Sequence, residues 1–463
     1  MNRMMRAGCA GVLFLTLLSL WIAEAQQPEL APTLVTTFAP VVAKVAPSVV
    51  SINTSKTVRI PRGLRDFFGM PGPGAGQERE RGLGSGVIVS EDGYILTNRH
   101  VIDNADEIVV HLADQKEYKA KKIGADPGTD IAVLKIDAKG LPVLPFADSD
   151  KAHVGDVVLA VGNPFGLTQT VTMGIVSGMG RGGMGIVDYE NFIQTDASIN
   201  PGNSGGALVD MSGRLLGINT AIFSRTGGNQ GIGFAVPSNL AQEILKSIRT
   251  SGRVIRGYLG TVIQPVTPEL AAAFNLKEAT GALVSDVAPG SPAEKAGLQH
   301  GDVITAFDGK KVEGPRELRL MVGALPPGKK AALKLLRNGQ EKEITVELGE
   351  LPQKEAAISS NGDASPAPSL LEGMQITDLD NDSREALHAP EGLKGALITE
   401  IDPDSDAYRA GLRQGYVIEE IDRKPVKNAA EATALAQNVQ KEKPVLLRAW
   451  GEGQSRYFTL GGK

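Results

Sequence analysis

Pro201-Gly202-Asn203-Ser204-Gly205-Gly206 places a serine among glycines, between Asp196–Asn200 and the apolar run Ala207–Asp210. Glycine lets a backbone turn tightly enough to aim two N–H groups at one point, the arrangement that stabilises a tetrahedral oxyanion. The chemistry suggested is attack by Ser204 on a carbonyl, although the same residues suit a plain glycine-rich turn before a strand. A serine nucleophile needs a base. The chain has 5 His, namely His100, His111, His153, His300 and His388. His300 and His388 lie in a later repeat and His111 sits inside a strand pattern, whereas His100 closes Tyr94–His100 at a strand end followed by polar turn residues. Asp130 precedes the apolar strand Ile131–Leu134, where it can be buried against an imidazole and hold its tautomer. Taken alone it also reads as an ordinary turn aspartate.

The three follow the order His, Asp, Ser, that of chymotrypsin-type enzymes and not of α/β-hydrolases or subtilisins. Metalloprotease and thiol-protease chemistry lose their essential residues, since no His-Glu-x-x-His occurs and Cys9 is the single cysteine.

The elements that must position these residues are β-strands. From Pro47 to about Pro237, short β-branched runs alternate with Gly, Asn and Asp, which predicts an all-β sandwich or pair of barrels. Ser238–Thr250 alone has a helical pattern there, with Ser238 as N-cap, and ends the first domain, residues 26–250. Thr57–Gly82, rich in Arg, Pro and Gly, is expected to be a long loop too polar for a strand pair.

An internal repeat follows. Ser291–Val312 and Ser405–Val426 align without gaps, keeping Ser, Ala-Gly-Leu, Gly, Val-Ile and Asp, so two small α+β domains are expected, at 256–350 and 370–463. Each copy opens a short helix at its serine and stops it at a glycine; the first adds Pro292 and Glu294 as a capping box. Residues 351–369 between them are a polar, low-complexity linker.

Arg3 and Arg6, an apolar run to Ile22, and Ala23-Glu24-Ala25 have the order of a secretory signal with cleavage after Ala25. The alternative is an uncleaved anchor, but the run is shorter than the ~20 residues a bilayer crossing needs. Cys9 leaves with the leader, so the exported chain has no disulfides. With 48 Lys+Arg against 53 Asp+Glu, no basic surplus supports nucleic-acid binding.

Thr97–Val101 (TNRHV), Thr129–Lys135 (TDIAVLK) and Gly202–Gly206 (GNSGG), followed by two Ala-Gly-Leu-x-x-Gly repeats, resemble the HtrA family of serine proteases over nearly the whole exported chain. The order of signal, trypsin-like domain and two PDZ domains resembles its DegP/DegQ branch. The resemblance implies a mainly β fold with a chymotrypsin-like double β-barrel of six strands each, and the active site between the barrels. It implies His100, Asp130 and Ser204 as the catalytic triad, the N–H groups of Gly202 and Ser204 as the oxyanion hole, and no metal or cofactor. Ile199, Ile222 and Phe223 would line an apolar pocket for small aliphatic side chains; the same residues also suit barrel core. Arg181, within Gly178–Gly185, matches a sensor-loop arginine, or is a solvated loop residue. Tyr258, Leu259 and Gly260 of the first PDZ domain resemble a peptide-carboxylate loop. Leu371–Gln375 is a weaker match in the second, where Tyr416 and Arg423 replace Asp and Gly, so an assembly role is expected there.

Two departures stand out: Arg99 replaces an Asn often found before the histidine, and alternation in an extended chain would aim it away from His100, while Phe223 stands where an aliphatic residue is common. The implied partners are unfolded polypeptides, hydrophobic peptide C-termini and further copies of the chain, as homotrimers or larger cages, in the periplasm with no membrane span after cleavage. The rival reading is a holding chaperone or scaffold with little proteolysis.

Overall fold

The computed structural model describes residues 37–59, 77–163, 169–200, 202–222, 230–352, 371, 373–437 and 444–461. The leader and nearly all of the 351–369 linker lie outside these residues.

The β-branched runs of the first domain pair into two antiparallel sheets. β1 (Val49–Arg59), β2 (Gln77–Ile88), β3 (Tyr94–Asn98), β4 (Glu107–His111), β5 (Glu117–Lys119), β6 (Lys121–Asp126) and β7 (Ile131–Lys135) lie in the order β5-β4-β1-β2-β3-β7-β6. β8 (Val157–Gly162), β9 (Thr170–Arg181), β10 (Phe192–Thr195), β11 (Ala207–Asp210), β12 (Leu215–Ile222) and β13 (Gly233–Pro237) close into a six-stranded barrel. The first sheet thus departs from the expected closed six-strand barrel: it has seven strands, with the short β5 added, and stays open between β5 and β6. One apolar core crosses from sheet to sheet, joining Val49, Val87, Leu96 and Val133 to Val161, Ala207, Ile218 and Phe234. The first helix, α1 (Ala39–Val45), packs Val41 and Val42 on that core, and α2 (Arg99–Ile102) is a single turn after β3.

Two sequence expectations are corrected. Thr57–Arg59 and Gln77–Gly82 are not loop but the outer ends of β1 and β2, in register from Thr54↔Gly82 to Arg59↔Gln77. Backbone pairing does not require apolar residues where neither face must be buried; residues 60–76 lie outside the described residues. The helix α3 (Ser238–Ser251) buries Ala241, Ile244, Leu245 and Ile248, but its N-cap is Pro237. The Ser238 hydroxyl instead donates to the Ala147 carbonyl (2.8 Å) and ties the helix to the loop before the barrel.

Each repeat copy folds as a separate sheet with small helices. The first has β14 (Gly257–Tyr258), β15 (Thr261–Pro265), α4 (Pro268–Ala273), β16 (Ala282–Val287), α5 (Pro292–Lys295), β17 (Val303–Phe307), β18 (Lys310–Lys311), α6 (Pro315–Gly323), β19 (Lys330–Arg337), β20 (Gln340–Glu347) and β21 (Gly349–Glu350). The second has β22 (Met374–Asp378), α7 (Asn381–Ala386), β23 (Ala396–Ile401), α8 (Asp406–Arg409), β24 (Val417–Ile421), β25 (Lys424–Pro425), α9 (Ala429–Gln437), β26 (Val445–Gly451) and β27 (Gln454–Leu460). Strand orders β15-β16-β17-β19-β20 and β22-β23-β24-β26-β27 are the same. Ser291 and Ser405 cap α5 and α8, accepting the Glu294 and Tyr408 N–H groups. Glu294 reaches one residue further back than expected, to the Gly290 N–H (2.6 Å).

The departures between copies have physical partners. In the first, Asp302 is fully buried in a two-bond pair with Arg337, both contacts at 2.6 Å. In the second, Tyr416 stands in place of Asp302 and packs on Gly451, where a Cβ would overlap the ring; an ion pair has been exchanged for an aromatic ring on a glycine. Arg423, at φ 63° where Gly309 stands in the other copy, reaches across to the first repeat domain. Its guanidinium donates to the Ala273 carbonyl (2.8 Å) and lies 4.8 Å from the centre of the Phe274 ring. Tyr457 meets Phe274 edge-on at 5.4 Å, and Arg448 donates to the Ser285 carbonyl (3.1 Å).

Candidate active site

β3 delivers Asn98, and the turn of α2 then lifts His100 to the surface. Arg99 therefore does not lie in an extended chain as expected; it starts the helical turn and pairs outward with Asp103 at 3.0 Å. Asp130 holds this turn at three points. Its carbonyl accepts the Arg99 N–H (2.8 Å), Oδ1 accepts the His100 N–H (2.9 Å), and Oδ2 lies 2.6 Å from His100 Nδ1. An ionised carboxylate only accepts, so Nδ1 carries the proton and a neutral ring keeps its Nε2 lone pair free for base chemistry. The Asp130 side chain is 12% exposed and that of His100 50%. Asp130 has φ 63°, left-handed for a residue with a Cβ, a conformation held from outside by its bonds. One of these runs from the Asp130 N–H to the Asp126 carbonyl (3.0 Å).

Ser204 stands in the turn before β11. The glycines around it are required by contact as well as by torsion: Gly205 has φ 82°, and a Cβ there would overlap the Ser85 carbonyl and the Thr97 hydroxyl. Gly202 has φ 100°. Among the described residues nothing accepts the Gly202 or the Ser204 N–H, whereas Asn203, Gly205 and Gly206 donate to Asn200, Asn219 and Asn203. The Ser204 hydroxyl donates to the Thr220 carbonyl at 3.4 Å and not, in this state, to His100. A buried link nevertheless joins the two candidates. Asn98 Nδ2 donates both to the Asp130 carbonyl (3.2 Å) and to the Thr220 hydroxyl (2.9 Å). Asn98 falls inside the Thr97–Val101 motif and Thr220 at the start of a segment matching a specificity loop, but the sequence reading gave neither this linking role. Each is a polar residue at the end of an apolar strand beside a motif, and that position was the available signal.

The remaining expected residues scatter. Ile199 is 1% exposed and packs against Gly233 in the core of the barrel. Ile222 ends β12 opposite Gly233, and Phe223 lies outside the described residues. Arg181 ends β9, exposed, and donates through Nε to Gln194 on β10 (2.8 Å). Leu259 is buried in its own domain's core and Tyr258 is half-buried in β14. Gly260 has φ 83°, and a Cβ there would overlap that of Ser291. Beside them, β15 is paired by β16 on one edge, and α6 packs next to it. Gly260→Ala is therefore expected to weaken peptide capture at this edge by at least about tenfold, the free-energy equivalent of ~1.4 kcal/mol of strain. Fluorescence anisotropy with a labelled peptide checks it, and an unchanged affinity would remove Gly260 from the site.

The contacts that reach from the first repeat domain to the candidate site start from Arg256, read in the sequence as the first residue of the carboxylate-loop resemblance, and otherwise use residues given no role there. Arg256, just before β14, makes a two-bond pair with Asp126 (2.7 and 2.6 Å), and Asp126 also accepts the Thr129 hydroxyl within the Asp130 turn. The guanidinium stacks 4.2 Å above the Tyr189 ring, and the Tyr189 N–H donates to the Gly128 carbonyl (2.8 Å). Burial pushes the Tyr189 phenol above its ordinary range, with Arg256 opposing. From α6, Arg316 and Arg319 donate to the carbonyls of Glu190 (3.3 Å) and Asp188 (3.1 Å). The segment 188–190 is thus held between the Asp130 turn and the helix beside the open strand edge.

Comparison with known proteins places these features. A trypsin-like peptidase domain model matches residues 84–218, and a PDZ domain model matches residues 257–348. A DegP-like periplasmic serine endoprotease of Pseudomonas fulva is 40% identical over 465 residues, 95% of this chain and 94% of that protein. Its counterpart in Halomonas elongata is also 40% identical, over 91% and 92% of the two chains. Among solved structures, the HtrA-type protease AlgW with decapeptide is 46% identical, covering 69% of this chain and 100% of its own with a TM-score of 0.60. A serine endoprotease from Yersinia pestis is 40% identical over 68% and 99%, with a TM-score of 0.51.

Proposed function

The chain belongs to the family of DegP-like periplasmic serine endoproteases, with a trypsin-like peptidase domain and a PDZ domain, and from that premise we propose that it degrades unfolded or misfolded exported proteins without ATP, using Ser204, His100 and Asp130. The observation that carries this reading is the 2.6 Å pairing of His100 Nδ1 with the shielded Asp130 carboxylate, on the sheet whose strand β2 bonds the Ser204 turn through Ser85.

The reaction follows from these groups. Ser204 Oγ turns from the Thr220 carbonyl, gives its proton to His100 Nε2 and bonds to the scissile carbonyl carbon. The oxyanion so formed takes the Gly202 and Ser204 N–H groups, which have no other acceptor among the described residues. Collapse breaks the C–N bond as His100 returns the proton to the leaving amine. Water then adds to the acyl-enzyme with His100 again as base, releasing the acid and restoring Ser204. Asp130 stabilises the imidazolium in both halves. In this reading Ile222 and Phe223, both uncharged, favour apolar side chains at the cleaved residue, while Ile199 belongs to the barrel core.

In this reading residues 1–25 are a cleaved signal and the enzyme works in the periplasm, as its relatives' names say of them. Among the described residues no helix is long and apolar enough to cross a membrane. Trimers or larger cages enclose the substrate. Casein digestion by the wild type and by Ser204→Ala tests the proposal: retained suppression of aggregation with equal, negligible cleavage by both proteins would establish the holding-chaperone reading instead.

Regulation runs through the first PDZ domain. A peptide C-terminus adds to the free edge of β15 with its carboxylate at Tyr258–Gly260, and α6 beside it carries the Arg316 and Arg319 contacts to segment 188–190. A ligand shifts activity only by preferring one state, so hydrophobic peptides with a free carboxylate are expected to raise cleavage of a separate reporter, and their amidated forms are not. Arg181 takes part by leaving Gln194 for the carbonyls of neighbouring loops. Stimulation of Arg181→Ala equal to that of wild type would remove it from the route.

A further inference from the structure

Ser85, on β2, is fully buried and makes four hydrogen bonds at the nucleophile turn. Its N–H donates to the Ser204 carbonyl (2.8 Å), and its carbonyl accepts the Thr97 hydroxyl (2.7 Å). Its hydroxyl accepts the Asn163 N–H (2.8 Å) and donates to the Gly202 carbonyl (2.6 Å). A serine hydroxyl has one proton, and with Asn163 occupying the acceptor side that proton is committed to Gly202.

These bonds fix two peptide planes at both ends. The Gly202–Asn203 plane is held by Ser85 Oγ on its carbonyl and by the Asn200 carbonyl on its N–H (2.9 Å). The Ser204–Gly205 plane is held by the Ser85 N–H on its carbonyl and by the Asn219 carbonyl on its N–H (2.8 Å). The peptide between them carries the Ser204 N–H, whose direction is set by its two fixed neighbours together with the Gly206 N–H on its own carbonyl (2.9 Å). The Gly202 N–H belongs to the preceding peptide and meets the held Gly202–Asn203 plane at the Gly202 Cα; with φ 100° and no Cβ to restrict rotation there, its direction depends on that plane staying fixed.

We infer that Ser85 is a positioning residue for the reaction at Ser204: its hydroxyl latches the Gly202 carbonyl so that the Gly202 and Ser204 N–H groups converge on the developing oxyanion. The inference rests on the assignment of Ser204 and its oxyanion hole made above. Removing the hydroxyl strands the Gly202 carbonyl and the Asn163 N–H in a buried setting, and the Gly202 plane is then free to turn. The loss falls on the transition state, because the ground-state substrate does not need the hole.

The test uses the full-length protein with Ser85→Ala, Ser85→Cys, Ser85→Thr and Ser204→Ala. Steady-state hydrolysis of a chromogenic peptide is expected to fall about 30- to 300-fold in kcat for Ser85→Ala, with KM changed less than about threefold. Affinity for a peptide boronic acid, whose adduct with Ser204 puts an oxygen in the hole, falls in parallel, while affinity for the matching peptide amide is unchanged. Ser85→Cys keeps the volume with a weaker donor and loses nearly as much, and Ser85→Thr keeps the hydroxyl and restores kcat to within about fivefold of wild type. If Ser85→Ala cannot be recovered folded, Ser85→Cys carries the comparison. A kcat within about threefold of wild type for the Ala or Cys variant, a loss confined to KM, or unchanged boronate affinity would each overturn the latch. Activity surviving in Ser204→Ala would overturn the triad instead, so the two failures are distinguishable.

Discussion

Replacing Ser204 or His100 by alanine is expected to lower kcat for peptide hydrolysis by about 10⁴- to 10⁶-fold, with folding retained and the double variant scarcely worse than either single one. The large effect follows from shared work. Without the imidazole the hydroxyl stays protonated, and without the hydroxyl the imidazole has nothing to deprotonate, so the second deletion removes nothing further. Neither side chain belongs to the apolar cores: His100 is half-exposed at a turn, and among the described residues Ser204 Oγ bonds only the Thr220 carbonyl. Thermal unfolding of the single variants should therefore stay within a few degrees of wild type while burst and steady-state hydrolysis vanish. Retention of more than about a tenth of the activity by either variant would overturn the assignment.

The second large effect is expected at Arg256. Its guanidinium and the Asp126 carboxylate are both shielded, with side chains 10% and 3% exposed. Removing one partner of such a pair leaves an uncompensated buried charge, which costs about 3 kcal/mol or more. Arg256→Ala is thus expected to loosen the docking of the first PDZ domain and to free the turn Asp126–Asp130. Hydrogen exchange at the Asp130 amide, bonded here to the Asp126 carbonyl (3.0 Å), should accelerate, and so should proteolytic nicking between α3 and β14. A double-mutant cycle with Asp126→Asn should give a coupling of about 2 kcal/mol or more. A coupling below about 0.5 kcal/mol, with unchanged exchange at Asp130, would mean the pair does no more than an exposed ion pair does.

How far the site could be read before folding differs residue by residue. His100, Asp130 and Ser204 were legible as candidates because each sits in a short motif whose chemistry is unusual and whose order along the chain is restrictive. The links made by Ser85, Asn98 and Thr220 were not, since a Ser, Asn or Thr in or beside a strand has many uses; only the approach of β2, β3 and β12 gives these side chains their partners. The extension of β1 and β2 was missed for a related reason. Polar residues from Thr57 onward give no alternating pattern, and their pairing comes from the register already set by Val49↔Val87 through Ile52↔Gly84.

The sequence by itself determined the strand-rich first domain, the two repeat domains, their serine-capped helices and the type of chemistry, because these depend on local periodicity, capping and side-chain identity. Tertiary structure alone decided which charges and carbonyls meet across the chain. Arg256 meets Asp126 and Arg423 meets Ala273 over long separations, and nothing local to any of them specifies the other. Local interactions are written in neighbouring residues; the pairing of distant polar groups is fixed only when apolar burial has brought their elements together and removed the water that would otherwise satisfy them.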